Sequence, residues 1–286
     1  RTIQVVVNDG RGQTSSASSV TIAMNNNALV TTSGGSAAFT SGDNSVSTPV
    51  VIDSGLSIVD HASSTLASGT VSITSNFHSG EDVLSFTNTN TTTYGNIVAS
   101  YNAATGVFTL TSSGATATIA EWQAAMRAVT WTDTAVTPNT ATRTISFQVT
   151  DGSSNSSPVA TRTVTVTAVD QTPIVSTSGG SAAFTAGDNT APTPVVVDNG
   201  LTLADLDNTT FASATVAITG NFHSGEDALA VTNNNAGIYG NIVGSYNSAT
   251  GILTLSSSGA TATVAQWQAA LRAVTWTDLA VTPNTA

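Results

Sequence analysis

The sequence predicts an all-β protein built from tandem Greek-key-like β-sandwich repeats, each with one short helix. Three observations predict this class. Segments such as GTVSITSNF at 69–77 alternate apolar and polar residues with the period of a strand. Clusters of turn-forming residues, such as SGED at 79–82, separate these segments. Long blocks of sequence also occur twice, so the same arrangement is expected twice in one chain.

The repeated blocks define the predicted domains. WQAAMRAVTWTD at 122–133 returns as WQAALRAVTWTD at 267–278, and NFHSGED at 76–82 returns at 221–227 by the same interval. The opening segment, RTIQVVVND, aligns instead with RTISFQVTD at 143–151. Three domains are therefore expected: C-terminal strands of a preceding repeat, or donor strands, at 1–24; a complete repeat at 32–168; and a repeat lacking its last strands at 177–286.

Each repeat is expected to fold as a two-sheet antiparallel sandwich. In RTISFQV at 143–149, Ile145, Phe147 and Val149 share one face, and the polar residues between them share the other. DVLSFTN, GVFTLTSS and TRTVTVTAVD show the same alternation. Short strands of this kind at regular spacing are typical of sandwiches.

One segment of each repeat has a different period. In TIAEWQAAMRAVTW, apolar residues recur at helical spacing: Ile119, Trp122, Met126 and Val129. Thr118 with Glu121 forms a capping box at its start. A short helix is therefore expected, with Trp122 and its counterpart Trp267 as core anchors. The alternative is that these tryptophans form an aromatic sugar-binding platform.

Composition excludes several classes of partner. The chain has 286 residues and a net charge of −11, with 17 acidic against 6 basic residues. Nucleic acid and anionic membranes both require basic patches, so neither is expected as a partner. Apolar runs reach only about four or five residues, which excludes insertion into a membrane. Cysteine is absent, so there is no disulfide framework.

The combination of motifs carries a resemblance. LTLADLDNTTFASATVAITGNF, SYNSATGILTLSSSGATATVAQWQAALRAVTWTD and NTATRTISFQVTDG resemble the cadherin-like, Ig-like tandem repeats of giant bacterial surface adhesins, many of the RTX type. The resemblance covers nearly the whole chain. It implies stacked extender repeats, secretion to the bacterial cell surface, calcium at repeat junctions, and no catalysis.

Acidic residues are the candidate calcium ligands, because calcium takes six to eight oxygen ligands. They occur in turns and near repeat junctions: Asp9, Asp60, Glu81, Asp82, Asp151, Asp170, Asp205, Asp207, Glu226 and Asp227. The first junction is poorer, because Ala62 stands at the position of Asp207 and Asn25 at that of Asp170. The alternative is that these acids only form turns, which Asp favours.

Histidines offer little evidence for catalysis. His78 and His223 occupy one repeated position beside two acids, which could suggest acid–base chemistry. No nucleophile or orienting partner lies at a defined spacing, so a solvated turn is expected instead.

Two classes of function are expected from these features. The first is a structural extender or filament subunit of a secreted or cell-surface adhesin. The second is a module that binds a glycan or another surface. The Trp and Tyr positions are duplicated between the repeats, which favours architecture over recognition.

The first residues of the chain are predicted to complete a repeat. Apolar residues of 1–24 share one face on two strands: Ile3, Val5 and Val7, then Val20 and Ile22. They are expected to join copies head to tail, either covalently in a tandem array or by strand donation between chains. Such a contact propagates into a filament unless it closes into a ring.

Overall fold

The computed structural model describes residues 1–22 and 27–283, which form two compact units, Arg1–Val169 and Asp170–Ala286. Most of the regular structure is β-strand and the helices are short, which confirms the predicted all-β class. The prediction of one helix per repeat was incomplete, because a four-residue helix also precedes one strand of each unit. This single turn is too short to show a helical period, and only its N-cap asparagine marks it in the sequence.

The first unit begins with a separate hairpin and continues into a sandwich. Its elements are β1 (Thr2–Val5), β2 (Ser18–Thr21), β3 (Leu29–Thr31), β4 (Ser36–Thr40), β5 (Val50–Val51), β6 (Ser57–Val59), β7 (Leu66–Ser75), β8 (Asp82–Ser85), α1 (Thr91–Tyr94), β9 (Ile97–Asn102), β10 (Val107–Ser112), α2 (Ile119–Arg127), β11 (Thr130–Asp133), β12 (Arg143–Asp151) and β13 (Ala160–Thr167).

A six-stranded sheet forms one layer of the sandwich, in the order β4-β13-β12-β7-β10-β9. Strands β5, β11 and β8 form a second sheet, and side chains of both sheets share one buried core. The sheets were expected to be antiparallel throughout, but β4 pairs with β13 in parallel. A parallel pair needs a long connection, and here the rest of the sandwich lies between the two strands in sequence.

Helix α2 closes the core of the first unit. The Thr118 side chain accepts from the Glu121 N–H, and the Glu121 carboxylate accepts from the Thr118 N–H, which is the predicted capping box. Trp122 is fully buried, and its indole Nε1 donates to the Leu66 carbonyl oxygen at 3.0 Å. Trp267 is 1% exposed in the second unit, so both tryptophans are core anchors and the alternative of a sugar-binding platform is wrong.

The second unit repeats part of this arrangement. Its elements are β14 (Ile174–Ser176), β15 (Val195–Val196), β16 (Thr202–Ala204), β17 (Ser213–Ala217), β18 (Asp227–Ala230), α3 (Ala236–Tyr239), β19 (Ile242–Asn247), β20 (Ile252–Ser257), α4 (Val264–Arg272) and β21 (Thr275–Asp278). Its sheets are β15-β21-β18, β17-β20-β19 and the pair β14-β16. Within 170–283, no segment occupies the position that β12 and β13 hold in the first unit.

Strand lengths in the second unit reflect that difference. Strand β7 has 10 residues and pairs with both β12 and β10, whereas its counterpart β17 has 5 residues and pairs with β20 alone. The sequence SAAFT forms β4 beside β13, but the same sequence at 181–185 is not in a strand. A strand needs a partner for its backbone N–H and C=O groups, so identical residues adopt different structures.

Hydrogen exchange will separate the two copies of SAAFT. Amides of Ser36–Thr40 that pair with β13 are expected to exchange at least about tenfold more slowly than those of 181–185, because exchange follows local opening. Hydrogen exchange read by mass spectrometry measures both segments in one sample of the full chain, diluted until it is monomeric in sedimentation velocity. Equal protection of the two segments would contradict the difference between the units.

Candidate assembly site

An apolar groove opens in the second unit beside β17. Its volume is about 490 Å³, and its lining includes Val175, Val197, Leu203, Phe211, Val216 and Trp267. Val175 is 56% exposed and Val197 is 43% exposed. The matching positions of the first unit, Val30 and Ile52, are 4% and 0% exposed. Exposed apolar surface of this kind marks a place where another segment binds.

In the first unit the corresponding core is completed by β12 and β13. Ile145, Phe147 and Val149 of β12 are each fully buried, and Val164 of β13 is buried beside them. Strand β12 pairs with β7 on one side and with β13 on the other. The groove of the second unit is therefore the surface that a hairpin of this kind covers in the first.

Arg143, the first residue of β12, is fully buried in an acidic pocket. Its Nε donates to the Asp82 carboxylate at 3.2 and 3.3 Å, and its Nη2 donates to Asp133 Oδ2 at 2.9 Å. Its Nη1 donates to two backbone carbonyls, each at 2.7 Å, and the guanidinium lies 5.6 Å from the centre of the Trp131 ring. Both aspartates are also fully buried, so the arginine satisfies carboxylates that water cannot reach.

The electrostatics of this pocket depend on the arginine. Burial raises the pKa of Asp82, and the His78 N–H and the charge of Arg143 oppose that rise. The His78 N–H lies 2.7 Å from Asp82 Oδ2. Taking the guanidinium away would leave two buried carboxylates side by side.

The second unit has the same carboxylates without an arginine. Asp227 and Asp278 are 5% and 4% exposed, and none of the arginines in the described residues forms an ion pair with either. The Trp276 Nε1 donates to Asp227 Oδ1 at 3.0 Å instead. In the first unit the matching Trp131 Nε1 has no hydrogen-bond partner, because Arg143 occupies Asp82.

The N-terminal hairpin, β1 with β2, has the register of β12 with β13. Thr2 pairs with Thr21 as Thr144 pairs with Thr163. Arg1 precedes β1 at the position that matches Arg143.

The turns of the two hairpins also agree. Asp9 Oδ1 accepts from the N–H groups of Arg11 and Gln13, and these bonds lower the pKa of Asp9. Asp151 Oδ1 accepts from the N–H groups of Ser153 and Asn155 in the same pattern. Asp9 therefore uses one carboxylate oxygen within its own turn, and Asp151 uses both, since its Oδ2 also accepts from the Asn155 side chain at 2.9 Å.

The predicted assembly residues lie exposed on this hairpin. About half or more of each residue is exposed to solvent: Ile3, Val5, Val7, Val20 and Ile22. The counterparts of the first three, on β12, are fully buried. An isolated two-stranded hairpin is marginally stable in water, so an apolar exposed face of this kind favours a packing partner. The rest of the predicted segment, residues 23 and 24, lies outside the described residues.

Three of the candidate calcium ligands come together in the second unit. The Asn208 amide donates to Asp170 and to Asp207, each at 3.0 Å, and Asp205 Oδ1 accepts from the Asn208 N–H at 2.9 Å. Burial acts to raise the pKa of Asp205, but the N–H groups of Asn208 and Asp207 outweigh it and lower the pKa. Asp205 Oδ2 is buried without a hydrogen-bond partner.

The first repeat has only part of this arrangement. Asp60 Oδ1 accepts from the N–H groups of Ala62 and Ser63, and Asp60 Oδ2 is buried without a partner, as in Asp205. Asn25, expected at the position of Asp170, lies outside the described residues. Across 1–22 and 27–283, no three His, Asp or Glu side chains converge on one point as they would around a bound metal ion, and Asp170, Asp205 and Asp207 are joined through Asn208 instead. Calcium binding stays a prediction.

The ED pairs of the predicted turns divide into two kinds of residue. Asp82 and Asp227 begin strands and are buried, and each accepts a backbone N–H from the histidine four residues before it. Glu81 and Glu226 precede them in the turn. Within the described residues, neither glutamate forms a cluster with Asp205 or Asp207 that could hold a metal ion.

Sequence reasoning did not single out Arg143, Asp133 or Asp278. A signal was present, because the chain has only six basic residues and one of them opens the alternating segment RTISFQV. The repeated TWTD motif also ends in an acid at both positions. Only the structure shows that this acid lies beside Asp82, 51 residues away in sequence.

Fold and groove together define a tandem β-sandwich repeat whose second unit exposes part of its core. No family model matches the chain. Halomucin of Haloquadratum walsbyi is 40% identical over 123 residues, which are 43% of this chain and 1% of that protein. A solved structure of zebrafish RET cadherin-like domains 1 to 4 is similar with a TM-score of 0.23 and 11% sequence identity. The match covers 89% of this chain and 50% of the RET chain. No helix within the described ranges has the length and apolarity needed to cross a membrane.

Replacing Arg143 with Met is expected to destabilise the first unit by about 3–5 kcal/mol, because Asp82 and Asp133 stay buried without a cation. Urea unfolding of the full chain measures the loss. Arg11→Met, in the exposed turn of the hairpin, is the control and is expected to change stability little. Adding Asp82→Asn and Asp133→Asn to Arg143→Met is expected to restore part of the loss. Equal effects of Arg143→Met and Arg11→Met would contradict the prediction.

Proposed function

We propose that this chain is a structural extender of an extracellular or cell-surface adhesion protein, in which repeats join head to tail into an elongated fibre. The match between the N-terminal hairpin and the groove of the second unit carries the proposal. The hairpin has the register, the turn and the leading arginine of β12 with β13, and the groove is the surface that such a hairpin covers.

The similarity to halomucin supports a place within a long protein. The 123 matched residues are 1% of halomucin, so the similar stretch is one small part of a very long protein. A repeat whose role is to add length, rather than to catalyse a reaction, fits within such a long protein. A net charge of −11 over 286 residues would favour the solubility of an array of such repeats through self-repulsion.

Two ways of joining the repeats satisfy the same geometry. A continuous polypeptide can supply the hairpin to the repeat before it, or separate chains can exchange hairpins by strand addition. Either contact is heterologous, so it extends into a filament unless the rotation closes a ring. We favour the filament, since each added unit carries both a hairpin and a groove.

Calcium is proposed as a further stabiliser at the Asp170, Asp205 and Asp207 cluster. The Asn208 side-chain amide donates to Asp170 and Asp207 and its backbone N–H donates to Asp205, while Asp205 Oδ2 is buried without a donor. Oxygen atoms are the ligands that calcium prefers, and carbonyls and water would supply the remainder of its shell. The cation would offset the repulsion between the carboxylates.

Assembly is expected to depend on the inward face of the hairpin. Val5→Asp places a charge at the position of the buried Phe147, so it should abolish concentration-dependent growth of the full chain in sedimentation velocity. Val6→Asp is the matched control, because Val6 corresponds to the polar Gln148 on the opposite face. Growth that survives Val5→Asp as well as Val6→Asp would contradict the proposed contact.

Calcium is expected to raise the melting temperature of the full chain by several degrees, because a ligand that binds only the folded state stabilises it. Asp205→Asn with Asp207→Asn should reduce that rise. Asp188→Asn, an acid outside the cluster, should leave it unchanged. Differential scanning calorimetry in calcium and in chelator makes the comparison. Identical melting in both solutions would show that no calcium site exists.

A further inference from the structure

We propose that one arginine selects and aligns the docked hairpin: Arg1 of one copy enters the pocket of Asp227 and Asp278 in the next copy. The inference rests on the proposed head-to-tail assembly and names the residues that make it specific. The occupant of the groove is residues 1–22 of a second copy of this chain.

The first unit provides the geometry of the filled pocket. There the guanidinium of Arg143 bonds both Asp82 and Asp133, and it lies over the Trp131 ring. These contacts use the planar, forked donor set of arginine, which a lysine ammonium does not reproduce. Because Arg143 is also the first residue of β12, the ion pair fixes where the strand begins beside β7, and the register then shifts between Thr144 and Ile145 and between Thr150 and Asp151.

The second unit has the buried carboxylates that could bind the same guanidinium. Asp227 and Asp278 are both more than nine-tenths buried, and a single hydrogen bond from the Ala280 N–H occupies Asp278 Oδ1 at 2.8 Å. The matching oxygen of Asp133 also accepts from the Ala135 N–H, so the other oxygen of the pair is the one that binds arginine. Buried negative charge on one surface and a leading arginine on the other are complementary.

Trp276 reports whether the pocket is filled. Its Nε1 donates to Asp227 in the open unit, whereas Trp131 Nε1 has no partner in the closed unit. Arrival of Arg1 should therefore displace the Trp276 hydrogen bond from Asp227 and stack the guanidinium on the indole ring. Trp276 also lines an apolar pocket with Val216 and Ile218, so docking of the strand alone changes its surroundings, but only the arginine is expected to remove the bond to Asp227.

One further position differs between the two hairpins, and a substitution there is expected to strengthen the contact rather than weaken it. In the first unit, Arg162 of β13 pairs with Asp53 at 2.9 Å. The hairpin has Val20 at the position of Arg162, and the second unit has Asp198 at the position of Asp53. Replacing Val20 with Arg should add this second ion pair to the contact. The chain as it stands depends on Arg1 alone for charge pairing in the groove.

The experiment titrates labelled synthetic peptides of residues 1–22 into dilute full chain and follows fluorescence anisotropy. The peptides are acetylated at the N-terminus and amidated at the C-terminus, so neither terminus carries a charge. The peptide with Arg1→Met is expected to bind at least about thirtyfold more weakly than the native peptide, since it leaves the buried carboxylates unpaired. The matched control, Arg11→Met, should bind like the native peptide. Val20→Arg should bind more tightly.

Chain variants and a spectroscopic readout complete the test. Asp278→Asn retains an acceptor for Ala280 but lacks the second carboxylate oxygen, so it should weaken the native peptide and leave the Arg1→Met peptide unaffected. In nitrogen-15 NMR, the indole N–H signal of Trp276, assigned with Trp276→Phe, should shift further on binding of the native peptide than of the Arg1→Met peptide, because only the native peptide removes the hydrogen bond to Asp227.

The outcomes separate the two proposals. If the native and Arg1→Met peptides bind equally, the arginine does not select the hairpin, and the head-to-tail contact stands. A second outcome is that no peptide binds, that the full chain does not assemble in sedimentation velocity, and that the amides of 181–185 are not protected from exchange. The groove then does not bind this hairpin, and the proposed assembly is wrong. If peptide binding is absent because each chain fills its own groove, 181–185 will be protected at every dilution, which overturns the choice of a second copy.

Discussion

The pairing of β12 with both β7 and β13 is the constraint on which the sandwich depends. It gives β7 a partner along its full length and places β13 where β4 can pair with it in parallel. Without these two strands, β17 is half as long as β7 and residues 181–185 form no strand. The two units thus act as a comparison within one chain, because nearly the same residues fold with and without the central hairpin.

Burying Arg143 with two aspartates contributes little net free energy to the stability of the core. Removing such charges from water costs about as much as their attraction returns, and apolar replacements are often as stable. We interpret its role as alignment, because a guanidinium held by Asp82 and Asp133 fixes where β12 begins. A strand slipped by one residue would turn Ile145, Phe147 and Val149 away from the core. We regard the arginine as the element that makes the alternating strand β12 pair correctly.

The acidic residues of this chain serve two different purposes that sequence could not separate. Asp82 and Asp227 are buried strand residues that receive backbone N–H groups, and Asp82 also receives a guanidinium. Asp170, Asp205 and Asp207 gather about Asn208 near the surface of the second unit. A carboxylate looks the same in either setting when only its neighbours in sequence are known. The difference is whether the fold brings an arginine or further oxygen atoms toward it.

The sequence by itself determined the strands, the capped helix and the duplication. Alternation in RTISFQV and the Thr118–Glu121 capping box are local, so the forces behind them act between residues a few positions apart. It also indicated which face of 1–24 is apolar. Only the tertiary structure decided that SAAFT is a strand at Ser36–Thr40 and not at 181–185, and that Arg143 meets Asp82 and Asp133. Both outcomes depend on a partner distant in sequence, because a strand needs a neighbouring backbone and a buried carboxylate needs a cation, and no local pattern records whether either is present.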